Sequence, residues 1–143
     1  MPSCASYALE CNEHWCKLIL EGRKSMEVRS CPFPEPLAGQ RVLLLATNGQ
    51  AGRPALGDGI SAGSTDAKAV GWVVFDGIQR FESASEFEGA YGEHCVPSDS
   101  PFAWAPRGPA LYGWRIREYE RARETCPLPR MTRLLRSVYE IKP

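Results

Sequence analysis

The chain has 143 residues, 43% hydrophobic and 24% charged, with 17 basic and 17 acidic side chains. That length suits one domain, residues 1–143, burying about two thirds of the surface its unfolded chain would expose, and the composition excludes disorder. The balanced charge excludes a global field that draws nucleic acid or membrane, and no run reaches the ~18 apolar residues of a spanning helix.

At the start, Met1-Pro2-Ser3-Cys4-Ala5 has neither the basic residues nor the apolar run of an export signal. The six cysteines are therefore expected as reduced thiols, and the protein in the cytoplasm or nucleus. Tyr7-Ala8-Leu9 reads as a short strand. A helix follows over about residues 14–21, with Asn12 as its cap and Trp15, Leu18 and Ile19 as its buried stripe. Gly22 stops it, because glycine adopts the left-handed geometry of a helix end without steric cost. Residues 25–29 then alternate: Met26 and Val28 on one face, Glu27 and Arg29 on the other, with Lys24 at the turn.

Pro32, Pro34 and Pro36 make an extended connection. Residues 40–46 are continuous and apolar, as a strand covered on both faces must be. Residues 47–68 are rich in glycine, alanine and serine and read as a flexible loop. Within it, Gly57 to Thr65 resembles a phosphate loop only in its glycines, since the Gly-Lys-Ser/Thr ending is absent. Residues 69–80 alternate as a strand, an acidic helix spans about 83–91 with Ser83 or Ser85 as cap, and 96–108 is a proline- and aromatic-rich loop or short helix. Residues 111–120 alternate most clearly. Pro127 and Pro129 make a turn, and 137–141 is a final strand. The sum is an α+β domain: a small, mixed, largely antiparallel β-barrel of five to six strands with flanking short helices.

Charge is uneven along the chain. Between Asp76 and Asp99 six acids face one arginine, whereas between Arg107 and Arg136 eight arginines face three glutamates. The second stretch can form a cationic surface. Cys11, His14 and Cys16 bunch three possible metal ligands, but no second pair completes a zinc set, so they read as ordinary buried thiols and no metal or cofactor is expected.

The most chemical feature is Gly22-x-Lys24-x-x-Glu27-x-Arg29 at the helix-to-strand turn, followed by Gly39-x-x-Val42-Leu43-Leu44. Together with the strands at Gly71-Trp72-Val73-Val74 and Gly113-Trp114, it resembles the ASCH family over about residues 7–141. The resemblance implies a PUA-like fold, with Gly22, Lys24, Glu27 and Arg29 at a cleft, and an RNA or nucleotide partner. Lys24 and Arg29 suit a phosphate or a polarised carbonyl oxygen, and Glu27 suits an amino group on a base edge. Trp104, in its proline-flanked loop, is a stacking face, while Trp15 and Trp114 read chiefly as core. Arg115, Arg117, Arg130 and Arg133 would hold the nucleic-acid backbone.

Two alternatives stand beside RNA binding. Small bacterial proteins similar to this one deacetylate N(4)-acetylcytidine with the motif lysine, a threonine and a downstream glutamate. Here Lys24 and Glu27 would be the catalytic pair, with Glu88 or Glu93 as the acid, but Glu27 occupies the threonine's place, which argues against hydrolysis. The other alternative is a protein-interaction module that docks a partner on the acidic helix and the 96–108 loop.

Overall fold

The computed structural model of the chain describes residues 5–47 and 67–142. The expected loop at 47–68, with its Gly57 to Thr65 stretch, lies outside the described residues except at its ends, where Thr47 closes one strand and Ala67 and Lys68 open the next. β1 (Tyr7–Asn12) hands over to α1 (Glu13–Leu20) at Asn12, whose side-chain oxygen accepts from the His14 amide at 2.9 Å. Cys16, Leu18, Ile19 and Leu20 form the buried face of α1, and Trp15 is half-buried. At the far end Gly22 turns at φ +78°, with its amide on the Ile19 carbonyl and the Arg23 amide on the Leu18 carbonyl.

β2 (Met26–Arg29) follows, then a 3-10 turn (Glu35–Leu37), β3 (Arg41–Thr47) and β4 (Ala67–Phe81). The acidic helix is two pieces, α2 (Ala84–Gly89) and α3 (Tyr91–His94), parted at Ala90. Ser83 caps α2 by accepting from the Glu86 amide at 3.1 Å, and Glu86 reaches back to the Glu82 amide at 3.2 Å. β5 (Leu111–Cys126), β6 (Met131–Leu135) and β7 (Val138–Ile141) complete the chain, and residues 96–108 form neither helix nor strand. Among the described residues no helix is long and apolar enough to cross a membrane.

The strands form one seven-stranded sheet in the order β2-β5-β4-β3-β1-β7-β6. Every pairing is antiparallel except β1 with β3, where α1 and the segments after it provide the crossover a parallel pair needs. The α+β class and the largely antiparallel sheet agree with expectation, but closure into a barrel does not. β2 and β6 remain edges, because β2 has only four residues and runs out at Pro32, which has no backbone N–H to lend. Side chains span the gap in place of a backbone ladder. Arg29 of β2 donates to the Glu10 carbonyl of β1 at 2.9 Å and to the Ser137 hydroxyl, and Arg136 donates to the Ser30 hydroxyl at 2.6 Å. The seventh strand, β6, lies between the expected proline turn and the expected final strand, where no element was assigned.

Three apolar clusters hold the sheet in its curl. Leu9, Ile19, Leu44, Val73, Phe75 and Trp114 pack between α1 and the sheet, and Phe33 joins the aromatic pair Phe75–Trp114. Ala8, Leu45, Leu128, Met131 and Tyr139 fill the β1–β7–β6 end. Met26, Phe81, Phe87, Val96 and Leu111 seat α2 and α3 against β2 and β5. Met26 lies against Gly113 of β5 so closely that a Cβ there would sit 2.2 Å from its sulfur. Gly113→Ala should therefore destabilise the protein by about 1–3 kcal/mol through overpacking. In denaturant unfolding, adding Met26→Ala should cost less in the Gly113→Ala background than in the native one; additive effects would rule out this contact as the cause.

Candidate functional site

Lys24, Glu27 and Arg29 meet at one wall of a cavity of about 570 Å³. Its other walls come from β1 (Glu10, Cys11, Asn12), from Trp15 of α1, from the 96–109 segment and from the β6–β7 turn. Alternation along β2 aims Glu27 and Arg29 into this space and Met26 into the apolar cluster behind. Both faces of β2 are thus covered, so the charged face is interior.

Glu27 is 4% exposed and Lys24 is 2% exposed, which makes the pairing obligatory. Glu27 Oε2 accepts from Arg29 Nε at 2.9 Å and lies 2.8 Å from Arg29 Nη2. The Cys11 thiol donates to the same oxygen at 3.5 Å, and Oε1 lies 3.6 Å from Lys24 Nζ. Lys24 Nζ also donates to the His94 carbonyl at 2.5 Å and stands 4.7 Å from the centre of the Trp15 ring. Burial pushes the Glu27 carboxyl up, but Arg29 and Lys24 outweigh it and hold the group below the usual carboxylate range. The Arg29 guanidinium loses solvation, yet Glu27 keeps it more firmly protonated than usual. The Cys11 thiol is raised by its contact with Cys16, by burial and by the Glu27 charge, so it serves as a donor and not as a nucleophile.

Other polar groups in or behind the wall were not foreseen from sequence. Glu10 is 4% exposed and accepts from the Tyr139 hydroxyl at 3.0 Å and the Thr47 hydroxyl at 3.2 Å. Burial, followed by the Glu10 charge, raises the Tyr139 hydroxyl far above its ordinary range, so it remains a proton donor. His94, wholly buried, bonds the Phe87 carbonyl through Nε2 at 2.6 Å and accepts the Val96 amide through Nδ1 at 2.9 Å. Burial holds it neutral, with Lys24 pushing the same way. Its backbone carbonyl, in turn, fixes Lys24. Apart from Glu10, which breaks an apolar run, no local pattern marks these positions, since their partners lie far along the chain.

Of the remaining sequence-derived positions, only Trp114 lines the cavity. Gly22 is the exposed helix end under the Tyr119 hydroxyl, and Trp104 packs beside the Phe87 cluster; neither lines the cavity. Trp114 is buried, donates to the Cys31 carbonyl at 2.8 Å and lies 5.7 Å under the Arg29 guanidinium. Arg115 pairs with Glu93 at 3.2 Å and bonds Gln79 at 2.7 Å, and Arg117 pairs with Asp76 at 3.4 Å and Glu118 at 3.3 Å. Arg133 lies 5.0 Å from the Tyr139 ring, and Arg130 is exposed just before β6. Glu88 is exposed on α2, and neither it nor Glu93 lines the cavity. Cys16 donates to the Cys11 carbonyl at 3.5 Å, and no cluster of three metal-ligating side chains occurs among the described residues.

No protein-family model and no curated protein matches the chain in sequence. Solved structures do match in fold. The crystal structure of an ASCH protein from Zymomonas mobilis superposes with a TM-score of 0.56 at 15% identity, covering 85% of this chain and 71% of that one. A serine-to-alanine variant of the Zymomonas mobilis protein gives 0.57 at 14%, covering 90% and 76%. The likeness is one of fold.

The neutral histidine carries a pH consequence. His94 has a folded-state pKa below its unfolded value, so below about pH 6.5 the unfolded chain takes up a proton that the native state refuses. Stability should fall through this window as pH drops, at a slope approaching ~1.4 kcal/mol per pH unit. Chemical denaturation between pH 7.5 and 5 measures it; a slope unchanged in His94→Gln would assign the effect elsewhere. The ion pair gives a second expectation. Arg29→Met leaves Glu27 paired with Lys24 alone and removes the bonds to the Glu10 carbonyl and the Ser137 hydroxyl, and should cost about 3–5 kcal/mol; Glu27→Gln added to it leaves buried Lys24 without a counter-charge and should cost more in the same measurement.

Proposed function

Starting from a chain with the ASCH-domain fold, we propose that it binds RNA or a nucleotide-like ligand by taking one base into the cavity beside Lys24 and Glu27. The observation that carries this reading is the buried Lys24–Glu27–Arg29 wall, fixed before any ligand arrives, in a space of about 570 Å³. Sites for small organic ligands are typically ~300–1,000 Å³, mostly apolar, with a few convergent polar groups. Glu27 suits an exocyclic amino group and Lys24 a ring carbonyl. Trp15 and Phe102, whose rings meet edge-on at 6.1 Å, offer faces for stacking. Arg29 holds Glu27 in place. A strand leading into the cavity would pass over the exposed arginines; phosphates approaching Arg115 or Arg117 compete with Glu93 and Asp76.

Trp15→Ala and Lys24→Met should each weaken binding of a labelled single-stranded RNA by roughly tenfold or more in fluorescence anisotropy, because base stacking contributes ~1–3 kcal/mol. Unchanged affinity in folded Trp15→Ala protein would overturn the cavity as the binding place. Turnover of N(4)-acetylcytidine that vanishes in Lys24→Ala would move the reading to an amidohydrolase. A protein partner retained after nuclease treatment, with no RNA crosslink, would move it to an interaction module.

A further inference from the structure

The cavity rim carries a cation with a different character from the arginines of β5. Arg136, in the β6–β7 turn, is exposed and lines the cavity. Among the described residues its guanidinium meets no carboxylate; its partner is the neutral Ser30 hydroxyl at 2.6 Å. Arg115 and Arg117, by contrast, are each matched by an acid. The Arg136 backbone stands at φ +50°, a conformation L residues rarely adopt and glycine takes freely. Its one side-chain bond among the described residues is the one to Ser30 across the gap in the sheet, which leaves the rest of the guanidinium fork open to the cavity.

The two serines beside it complete the arrangement. Ser30 and Ser137 both line the cavity, and each hydroxyl oxygen accepts from an arginine: Ser30 from Arg136, Ser137 from Arg29. A serine hydroxyl has one proton to give, and among the described residues neither proton has an acceptor. Two arginine-polarised O–H donors and the planar fork of a guanidinium, gathered at the mouth of a cavity, form a donor set for a tetrahedral oxyanion. No carboxylate partner needs to be displaced from Arg136.

We infer that Arg136, Ser30 and Ser137 form a phosphate subsite at the cavity mouth, so that the ligand is a nucleoside monophosphate unit, free or within a strand, and not a bare nucleoside. The base half of this statement rests on the function proposed above; the anion half rests on the rim alone. Arg29 contributes through Ser137, whose hydroxyl it orients, and keeps its own donors on Glu27 and Glu10. Arg136 is the group that touches the phosphate.

Calorimetric titration of the full chain with the four nucleosides and their 3′- and 5′-monophosphates tests both halves. At least one monophosphate should bind about 10- to 100-fold tighter than its nucleoside, the range of a charge-assisted contact. Arg136→Gln should erase that advantage and leave the nucleoside affinity unchanged. Equal affinities in the native protein, or an advantage that survives Arg136→Gln, would overturn the inference. Titration with inorganic phosphate, followed by amide shifts at Ser30, Arg136 and Ser137, separates the two readings. Shifts in the native protein that vanish in Arg136→Gln would keep the anion site even if no nucleoside binds; their absence would reject it even if nucleosides do. Arg136→Gly serves as the folding control. Relief of the strain at φ +50° opposes the loss of the Ser30 bond, so the variant should melt near the native temperature while losing the phosphate response.

Discussion

The Arg29 guanidinium is the interaction on which the rest of the structure depends. It belongs to β2, at one end of the sheet order, and its partners belong to β1 and the β6–β7 turn near the other end. A sheet that curls without closing leaves a seam, and a seam through a protein interior admits water. Arg29 lies across that seam with donors on the Glu27 carboxylate, the Glu10 carbonyl and the Ser137 hydroxyl. A buried ion pair contributes little by itself, because desolvation offsets most of the attraction. Here its role is geometric. The bonds to Glu10 and Ser137 link β2 to β1 and to the β6–β7 turn, and full satisfaction of the network makes one curl of the sheet preferable to others.

Fold and site are therefore one object. The carboxylate that would meet a ligand is the one that anchors the strut, and the ammonium beside it is fixed by the carbonyl of His94, itself held by α2 and the Val96 amide. Such a wall is preorganised: its side chains have already lost their rotamer freedom, so a ligand does not have to supply that ordering. The same commitment limits what the wall can do. With its donors spent on holding the seam, Arg29 is poorly placed to hold a phosphate as well, and a cation for an anionic ligand has to come from outside the network. Arg136 at the rim, tied only to a hydroxyl, is the group in that position.

The sequence made part of this legible. Asn12, the i, i+3, i+4 stripe of α1 and Gly22 bracket the first helix, and the alternation after it assigns Glu27 and Arg29 to one face. These are short-range signals, set by backbone geometry within a few residues. Of the motif Gly22-x-Lys24-x-x-Glu27-x-Arg29, Lys24, Glu27 and Arg29 share one wall of the cavity and Gly22 does not. What escaped depends on distant pairings. β6 was hidden because Met131-Thr132-Arg133-Leu134-Leu135 lacks alternation and follows two prolines, and only its ladder with β7 makes it a strand. The seam was missed because strand count cannot say whether two edges meet. Glu10 drew no attention in the sequence, since only the fold brings Tyr139 and Thr47 to face it. The arginine-rich stretch could be counted but not paired, since the carboxylates that answer Arg115 and Arg117 come from α3 and β4.

Position 27 shows why an ionic motif cannot be assigned to binding or to architecture alone. A threonine at position 27 would be too short to reach both Lys24 Nζ and the Arg29 fork. It would leave two cations in the same wall, one fully and one mostly buried, without a counter-charge. Glutamate is long enough to divide its oxygens between them, one toward Lys24 and the other toward Arg29 and Cys11. The consequence for chemistry is direct. Lys24 has the Glu27 carboxylate, the His94 carbonyl and the Trp15 ring around it, so its donors are directed at fixed partners. On the proposed reading the cavity holds a polar edge in a fixed orientation, and the acid that prevents repulsion inside the fold also gives that edge something to recognise.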